Sequence, residues 1–463
     1  MGYPSILRGF GVSLIVLGAA MLAPFIAAIA AGEAGAGAFA FGASAAFFAG
    51  FGAVSASSGK HPPTDFRGAL LLVLLWWIVA PVFAALPFLL HGMTFSDAYF
   101  EAVSAMTTTG GWLSDAAARA SISGVLWRAE LEWLGGLASV SIAAAIFVRP
   151  TFVGIDTLLP PFSLGEEDSY LSPLRDAIRS FSVVYALVTL FCFTIAALLG
   201  APLLDAAVMS MSIVASGGFI PHQEGLAGYG LGIESGLFPF IVLSGANFVL
   251  VARLLRGVTG RARDAETGAF LLIILAVGAM FWTTAGAGDI SLLPAQLFNA
   301  ASLLSTNGFL IGEAPTVTAA IVTAVIGGAA VSTAGGFKIL RWLVIMRRAH
   351  EEIRLLVTPR AVFGLSRIAN ELGVWMHFLM FTMTLAGLLL LIALNGHSFE
   401  AAALAATAVL SNTGPLLALA GEAHGGYAIF ETPLRWVLAA GMILGRLEAV
   451  AGLALINRAF WRS

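Results

Sequence analysis

Long apolar runs separated by short polar connections occupy most of this chain. Runs such as residues 69–90 and 378–394 are long enough to cross about 30 Å of hydrocarbon as a helix. Four other apolar segments are only about eleven to thirteen residues long, which is typical of re-entrant half-helices. They are residues 96–106, 202–214, 292–304 and 398–410. The pattern predicts an all-α polytopic membrane protein.

A glycine tract follows each of the four short segments. Its central glycine, taken in turn as Gly110, Gly217, Gly308 and Gly414, recurs at intervals of about one hundred residues, which indicates a fourfold internal repeat. Glycine lets neighbouring carbonyls point one way, and a ring of carbonyls can replace the hydration shell of a cation. We therefore predict an ion-binding selectivity filter. Its residues are Thr108, Thr109, Gly110, Ala215, Ser216, Gly217, Thr306, Asn307, Gly308, Asn412, Thr413 and Gly414.

The repeat predicts an N-terminal two-helix hairpin followed by four pseudo-repeated helix–pore loop–helix units around a central pore. The hairpin covers residues 1–59, and the units cover 60–150, 151–258, 259–348 and 349–463. About ten spanning helices and four half-helices are expected. Single second helices are expected over 236–255 and 434–456 in the second and fourth units. Irregular backbone at membrane depth must be buried or line a water-filled cavity, so four tracts imply one pore.

The second helix of the third unit departs from this plan. Its expected span, residues 315–346, is interrupted at 327–338 by glycine and hydroxyl residues that weaken a helix. The stretch superficially resembles a phosphate-binding loop, but Phe337 and Ile339 flank Lys338 where that motif requires Gly-Lys-Ser/Thr. We predict a gating loop below the pore, with tight glycine packing as the alternative. The predicted gating residues are Gly327, Gly328, Gly335, Gly336, Lys338 and, from the fourth unit, Arg446.

Arg446 lies deep in the second helix of the fourth unit. An arginine at the centre of a membrane helix costs about 2.5–3.5 kcal/mol on insertion scales, so it is normally turned to a pore or paired within the bundle. Glu448 is two residues away and therefore on a different helical face. Arg446 either faces the ion path or binds another segment, such as the carbonyls of the broken helix. A gating role and a structural tie both remain open.

Composition and charge narrow the function further. The chain is 59% hydrophobic and 11% charged, whereas a soluble protein carries about 25% charged residues. Its polar connections are too short for a nucleotide-binding domain, so any such domain must come from a partner. Most of the 23 Lys and Arg residues fall on the side away from the tracts. The positive-inside rule then places the tracts outside and both termini in the cytoplasm, and basic connections at 253–263 and 341–367 form the expected docking surface.

Catalysis is not expected from this sequence. The seven histidines show no i, i+4 ligand spacing, and Cys192 is the only cysteine, so no thiolate metal site can form within one chain. Two acidic residues at starts of short segments, Asp205 and Glu400, are explained by favourable interaction with the helix dipole. Glu101 lies deeper in its segment, and we expect it to hydrogen-bond to the neighbouring scaffold.

Further motifs accompany the tracts. They are Phe100-Glu101-Ala102-Val103-Ser104, Glu132-Trp133-Leu134-Gly135-Gly136, Gly245-Ala246-Asn247-Phe248, Ser332-Thr333-Ala334-Gly335-Gly336-Phe337-Lys338 and Gly445-Arg446-Leu447-Glu448. With them, nearly the whole chain resembles the Trk/Ktr/HKT superfamily of potassium transporters, specifically the Trk-type membrane subunit. The resemblance implies a potassium-selective filter, an intramembrane gating loop near Arg446, and a homodimer docked on a cytoplasmic nucleotide-binding regulatory subunit of NAD or ATP type. It implies no cofactor in this chain, potassium as substrate, lipid surroundings and no nucleic-acid partner.

The predicted function is potassium uptake across the cytoplasmic (inner) membrane through a gated, carbonyl-lined filter. One alternative is a less selective potassium/sodium transporter of the same fold, because Asn307 stands where the family more often has threonine and Leu416 where it often has glycine. Another is an unrelated secondary transporter with broken helices. Such transporters usually show two inverted repeats, whereas this sequence shows four in the same orientation.

Overall fold

The fold is helical throughout the part of the chain that the structure describes. The computed structural model describes residues 3–57, 66–113, 121–147, 171–222, 225–255, 265–286, 289–357, 368–421 and 426–447, and every regular element in these ranges is a helix. Glu448 and the expected unit boundaries near residues 59, 150 and 258 lie outside the described residues. So do parts of the two basic connections, at 256–264 and 358–367.

Long apolar helices alternate with short ones along the chain. In order they are α1 (Tyr3–Ala20), α2 (Leu22–Ala30), α3 (Ala36–Ala56), α4 (Phe66–Leu74), α5 (Ala80–Ala84), α6 (Leu86–Leu90), α7 (Phe95–Met106), α8 (Ile122–Ile142), α9 (Leu171–Leu198), α10 (Leu203–Ala215), α11 (Leu231–Gly245), α12 (Phe248–Leu255), α13 (Ala265–Gly286), α14 (Leu293–Leu304), α15 (Val317–Ile326), α16 (Ile339–Val357), α17 (Ile368–Leu394), α18 (Phe399–Leu410) and α19 (Thr432–Arg446). Single π-helical turns at Leu75–Val79 and Ala143–Phe147 follow α4 and α8.

The N-terminal hairpin is a closely packed pair of helical arms. α1 and α3 approach so closely that a Cβ on Gly50 would lie 2.7 Å from the Gly11 carbonyl oxygen, and small residues permit such contacts between membrane helices. The turn between the arms contributes Glu33. Its carboxylate accepts hydrogen bonds from the N–H groups of Ile122 and Ser123, at 2.6 and 3.4 Å. A carboxylate stabilises a helix N-terminus, so the hairpin is joined to α8.

Four short helices precede the glycine tracts at the positions predicted from the sequence. α7, α10, α14 and α18 contain 12, 13, 12 and 12 residues. Two of them begin with a side-chain cap: Thr94 accepts from the Asp97 N–H, and Ser398 accepts from the Ala401 N–H. Longer helices cover them, because α7 packs on α8, α10 on α8 and α9, α14 on α13, and α18 on α17 and α19.

Two apolar stretches are broken near the tracts. The break between α15 and α16 is the predicted one. The single helix expected over 236–255 is wrong, because α11 ends at Gly245 and α12 begins at Phe248 after a bend of 112°. Backbone groups left free at one break form hydrogen bonds with backbone groups of the other. Ala329 N–H donates to the Gly245 carbonyl at 2.9 Å, and Phe248 N–H donates to the Val331 carbonyl at 2.8 Å, which makes irregular backbone tolerable at membrane depth.

By length and composition, six helical stretches of the described chain suit a membrane span, or seven if α11 and α12 form one bent span. The six are Tyr3–Ala30, Ala36–Ala56, Arg67–Leu90, Leu174–Leu198, Ala265–Ala285 and Leu372–Leu394. About ten spans are expected from the sequence. The difference arises because α8 carries three charged residues, Arg128, Glu130 and Glu132, and because other expected spans are broken into shorter helices. The expected boundary between residues 348 and 349 lies inside α16.

Candidate ion-conducting site

The four tracts share one backbone conformation where each leaves its half-helix. The residue there is left-handed, with φ of 51° at Thr108, 55° at Ser216, 58° at Thr306 and 52° at Asn412. Non-glycine residues rarely adopt positive φ, and a β-branched threonine in this region is an outlier. Such strain persists only where the surrounding structure imposes it, and it concentrates at functional sites.

The shared conformation changes the alignment of the second tract. Ser216 corresponds in conformation to Thr108. Gly218, with φ of 87°, therefore corresponds to Gly110, with φ of 67°. The spacing-based alignment, which uses Gly217, is off by one residue. Two adjacent glycines occur in this tract, and the interval between tracts does not choose between them.

Neighbouring tracts are in direct backbone contact. A Cβ on Gly110 would overlap the carbonyl oxygen of Gly217, so the first tract touches the second. A Cβ on Gly218 would lie 2.7 Å from the Asn307 carbonyl oxygen, so the second tract touches the third. Glycine is required at both positions by the neighbouring carbonyl as well as by the positive φ.

The fourth tract closes these contacts into a ring. A Cβ on Gly308 would lie 3.2 Å from Cγ2 of Thr413, which joins the third tract to the fourth. Gly414 donates its N–H to the Thr109 carbonyl oxygen, which joins the fourth tract to the first. The residues of all four tracts are buried. The structure thus brings together the predicted filter positions in chain order.

Tract side chains bind the scaffold around the ring. The Nδ2 group of Asn307, which stands in place of the more common threonine, donates to Ser244 Oγ at 3.0 Å. Asn412 Nδ2 donates to Thr109 Oγ1 at 2.9 Å and to the Met442 carbonyl at 3.0 Å. These bonds join both amide side chains to the scaffold, and Asn412 also joins the fourth tract to the first.

Arg446 joins the first tract to the broken helix of the third unit. Its Nη1 donates to the Thr333 carbonyl at 2.7 Å, its Nε to the Thr107 carbonyl, and its Nη2 to the Thr108 hydroxyl. The fork of guanidinium donors suits several acceptors at once. The sequence leaves open whether Arg446 faces the ion path or binds another segment. In the structure it binds a carbonyl of the broken helix, at Thr333, and it also contacts the first tract.

Residues 327–338 form a closed loop with a narrow neck. Ile339 N–H donates to the Gly328 carbonyl at 2.9 Å where the chain returns. Gly327 and Gly336 cross at the neck with φ of 74° and 76°, and a Cβ on Gly336 would lie 2.6 Å from the Gly327 Cα. Gly327 and Gly336 therefore allow tight packing at the neck. The sequence leaves such packing open as the alternative to a gating loop.

The tip of this loop contacts the second, third and fourth units where their half-helices end. Thr333 Oγ1 lies 2.8 Å from Ser216 Oγ, and Gly335 N–H donates to Thr306 Oγ1 at 2.8 Å. A Cβ on Gly335 would overlap the Ser411 carbonyl oxygen at the end of α18. Arg446 bridges the loop to Thr107 and Thr108 of the first unit. With these contacts, the loop is linked to all four units.

Glu266 on α13 also holds the loop, and the sequence does not single it out. The side chain is buried, and its Oε1 accepts from Ala330 N–H at 2.6 Å and from Leu340 N–H at 3.2 Å. These donors lie toward the two ends of the loop. In the sequence, Glu266 is an acidic residue in the first turn of an apolar helix, a pattern that the helix dipole alone explains. No local signal marks its distant partners.

Glu101 anchors the first tract on its outer side. Its Oε2 accepts from Arg128 Nε at 2.8 Å, and its Oε1 accepts from Leu113 N–H at 2.8 Å. Both charged side chains are buried, and a buried pair of this kind is costly unless its remaining groups are hydrogen-bonded. The expected contact of Glu101 with the scaffold is confirmed.

A cavity without tract residues borders the loop. Its lining includes the cationic side chains Lys338, Arg341 and Arg446, together with His377. The Nζ group of Lys338 donates to the Ala334 carbonyl within the loop. Among the described residues, no group of three or more His, Cys, Asp or Glu side chains could hold a metal ion.

Comparisons with known proteins agree along most of the chain. A profile of the TrkH family, described as "Cation transport protein", matches residues 38–283. The Trk system potassium uptake protein TrkI of Halomonas elongata is 30% identical, with 99% of this chain and 96% of the relative covered. TrkH of the same organism is 28% identical, with 89% and 90% covered. The crystal structure of the potassium transporter TrkH from Vibrio parahaemolyticus matches with a TM-score of 0.87 at 26% identity over 100% of both chains. The chain therefore belongs to the TrkH family of cation transport proteins.

Proposed function

We propose that this chain takes up potassium as the ion-conducting membrane subunit of a Trk-type system. The relatives that align along most of its length are named as Trk system potassium uptake proteins. The observation that carries the proposal is the closed ring of four buried tracts, each entered from the C-terminal end of a half-helix. These ends carry partial negative charge, which favours cations.

In this proposal the predicted filter residues, together with Gly218, bind potassium through their backbone carbonyls. The number and field strength of the carbonyls and the width of the ring set the choice of ion. The Thr109 carbonyl accepts the Gly414 N–H in the structure. Passage of an ion therefore exchanges this hydrogen bond for a carbonyl–ion contact.

The gate is proposed at residues 327–338 and Arg446. The loop lies against the C-terminal ends of the half-helices, and a positive charge there opposes the passage of potassium until it moves. Opening breaks a small number of hydrogen bonds, each worth about 0.5–1.5 kcal/mol when neutral and about 1.5–3 kcal/mol when charged. A regulatory partner can open the gate by as much as its affinity for the open state exceeds its affinity for the closed state.

Ion flux into liposomes that contain the purified full chain tests the proposal. Rates for potassium, rubidium, sodium and lithium are compared with those of protein-free liposomes. We expect potassium and rubidium to enter faster than sodium and lithium. Similar rates for all four ions would favour the less selective transporter of the same fold, and absence of potassium flux would overturn the proposal. Family membership argues against an unrelated secondary transporter.

The proposed architecture is the hairpin and four pseudo-repeated units in the inner membrane, with both termini in the cytoplasm. The shared conformation of the four tracts supports the repeat, and the distribution of basic residues supports the orientation. Accessibility of single cysteines introduced at Tyr3, which is exposed, and at His424 to a membrane-impermeant reagent, in a Cys192→Ala background, tests the orientation. Only the cysteine at position 424 should react in intact cells.

We further propose a homodimer docked on a cytoplasmic nucleotide-binding subunit. The relatives are named as parts of a Trk system, and the polar connections of this chain are too short for a nucleotide-binding domain of its own. The basic connections at 253–263 and 341–367 are the proposed docking surface. Flux with ATP or NADH should respond only when a regulatory subunit has been co-purified. An equal response of the isolated chain would contradict this proposal.

A further inference from the structure

Two serines inside half-helices hold the backbone just beyond the positive-φ glycine of their tracts. Gly111 donates its N–H to Ser104 Oγ at 2.9 Å, and Phe219 donates its N–H to Ser212 Oγ at 2.8 Å. Both bonds join residues separated by seven positions. Both serines are buried. The first and second units therefore use the same brace.

The third unit has a serine at the same position without the brace. Ser302 is buried, and its Oγ has no hydrogen-bond partner. The donor equivalent to Gly111 and Phe219 is Phe309. The bond from this tract to Ser302 comes from the preceding residue, because the Gly308 N–H donates to the backbone carbonyl of Ser302 at 3.2 Å. This unit thus supplies a side chain of the same type and location whose hydroxyl does not hold the tract.

The fourth unit lacks the donor and the acceptor together. Its equivalent residues are Ala408, which has no side-chain acceptor, and Pro415, which has no N–H. A buried N–H without a partner is unfavourable, and this pair of residues avoids one. The matched loss indicates that the hydroxyl in the first and second units is present for the tract amide and not for packing alone.

A second brace farther along the tract occurs in the first and third units. Ile311 N–H donates to Asn299 Oδ1 at 2.8 Å, which corresponds to the bond between Leu113 and Glu101 in the first unit. The equivalent pair in the second unit is Met209 and Pro221, again without acceptor and donor.

We propose that Ser104, and to a smaller extent Ser212, are positioning residues for potassium selectivity. The inference rests on the proposed function, because it takes the tract carbonyls as the ion ligands. One planar trans peptide unit carries the Gly110 carbonyl and the Gly111 N–H in opposite directions. A serine that fixes the N–H toward the half-helix therefore fixes the carbonyl away from it. At the second tract, the Glu132 carboxylate also contacts Phe219 N–H, so loss of the serine leaves a second acceptor.

Ser104→Ala, Ser212→Ala and Ser302→Ala, reconstituted as full chains, test the inference. We expect Ser104→Ala to lower the potassium-to-sodium flux ratio about tenfold, the size of one lost buried hydrogen bond. Ser212→Ala should lower the ratio about threefold, and Ser302→Ala should stay within about twofold of wild type. Ser104→Thr keeps the hydroxyl and should retain most of the ratio.

Melting temperatures measured in parallel separate positioning from packing. A wild-type ratio in well-folded Ser104→Ala, or a fall in Ser302→Ala as large as in Ser104→Ala, would overturn the inference. Similar losses of melting temperature in all three variants without a change of ratio would also overturn it. If the wild-type chain itself does not prefer potassium, the proposed function fails as well. If wild type prefers potassium and Ser104→Ala keeps the wild-type ratio, only this inference fails.

Discussion

The glycine tracts and the loop at residues 327–338 are both irregular backbone within the bundle, but they are held differently. Each tract is closed largely by nearby residues, as where Thr109 N–H donates to the Ser104 carbonyl at 2.8 Å. The loop is held by distant residues, including Gly245, Glu266 and Arg446. A locally closed turn forms with its helix, whereas the loop depends on the arrangement of several units. This difference favours ion selection at the tracts and gating at the loop.

A side chain within the ring should have the largest effect. Gly110→Ser places a Cβ against the Gly217 carbonyl at a positive φ, so we expect potassium uptake to fall at least about tenfold. Gly387→Ser on α17 is the control, because a Cβ there meets nothing within 4 Å. Growth of an uptake-deficient bacterium in low potassium measures the effect. Normal growth with Gly110→Ser would contradict the role of the first tract.

Removal of Arg446 should separate the two regions functionally. Arg446→Ala loses the bonds to the loop and to Thr107 and Thr108, but it keeps the Ser104 bond next to the Gly110 carbonyl. We therefore expect basal flux to rise about tenfold while the potassium-to-sodium ratio changes less than in Ser104→Ala. Arg435→Ala is the control, because that guanidinium pairs with Asp97 away from the loop. Flux is measured only on monodisperse protein. Unchanged basal flux in such a sample would remove Arg446 from the gate.

A smaller effect is expected at Glu266. Glu266→Gln keeps the shape of the side chain but weakens its charge-assisted bonds to Ala330 and Leu340, so basal flux should rise about threefold without a change in ion preference. Glu352→Gln on α16 is the matched control, since its pair with Arg348 is within one helix and partly exposed. Equal flux for the two variants would show that Glu266 does not restrain the loop.

The N-terminal hairpin belongs to neither the tracts nor the loop, so a change there should affect the stability of the protein alone. Gly50→Ala brings a Cβ to 2.7 Å from the Gly11 carbonyl, and crowding of this kind should lower the melting temperature by about 2–4 °C. Gly52→Ala, two residues along the same helix, meets nothing within 4 Å and should melt as wild type. A changed potassium-to-sodium ratio in Gly50→Ala would mean that the hairpin influences the filter.

The sequence predicts the half-helices well because their signal is local. Segment length and apolar character mark α7, α10, α14 and α18, and a glycine follows each. The alignment of the second tract is off by one because spacing does not report φ, and Ser216 carries no special signal for a left-handed conformation. The sequence also predicts the break in the second helix of the third unit, because four glycines lie within residues 327–338.

Long-range partners are the part that the sequence does not predict. The bend between Gly245 and Phe248 has only one glycine and one asparagine to mark it in an otherwise apolar run, and its stability comes from Ala329 and Val331 in another unit. The contact of Glu266 with the loop has the same origin. Such pairings depend on which units become neighbours, and a single sequence does not specify that directly.

The paired breaks constrain the order of assembly during synthesis. Gly245 and Phe248 leave the ribosome before Ala329 and Val331, so the freed carbonyl and N–H of the second unit have no partners when that unit reaches the membrane. An unsatisfied backbone group in hydrocarbon costs several kcal/mol. Until the third unit arrives, this stretch can satisfy these groups only by staying hydrated or by forming an unbent helix. Insertion of this chain cannot be a succession of finished units, because the second is completed only by the third.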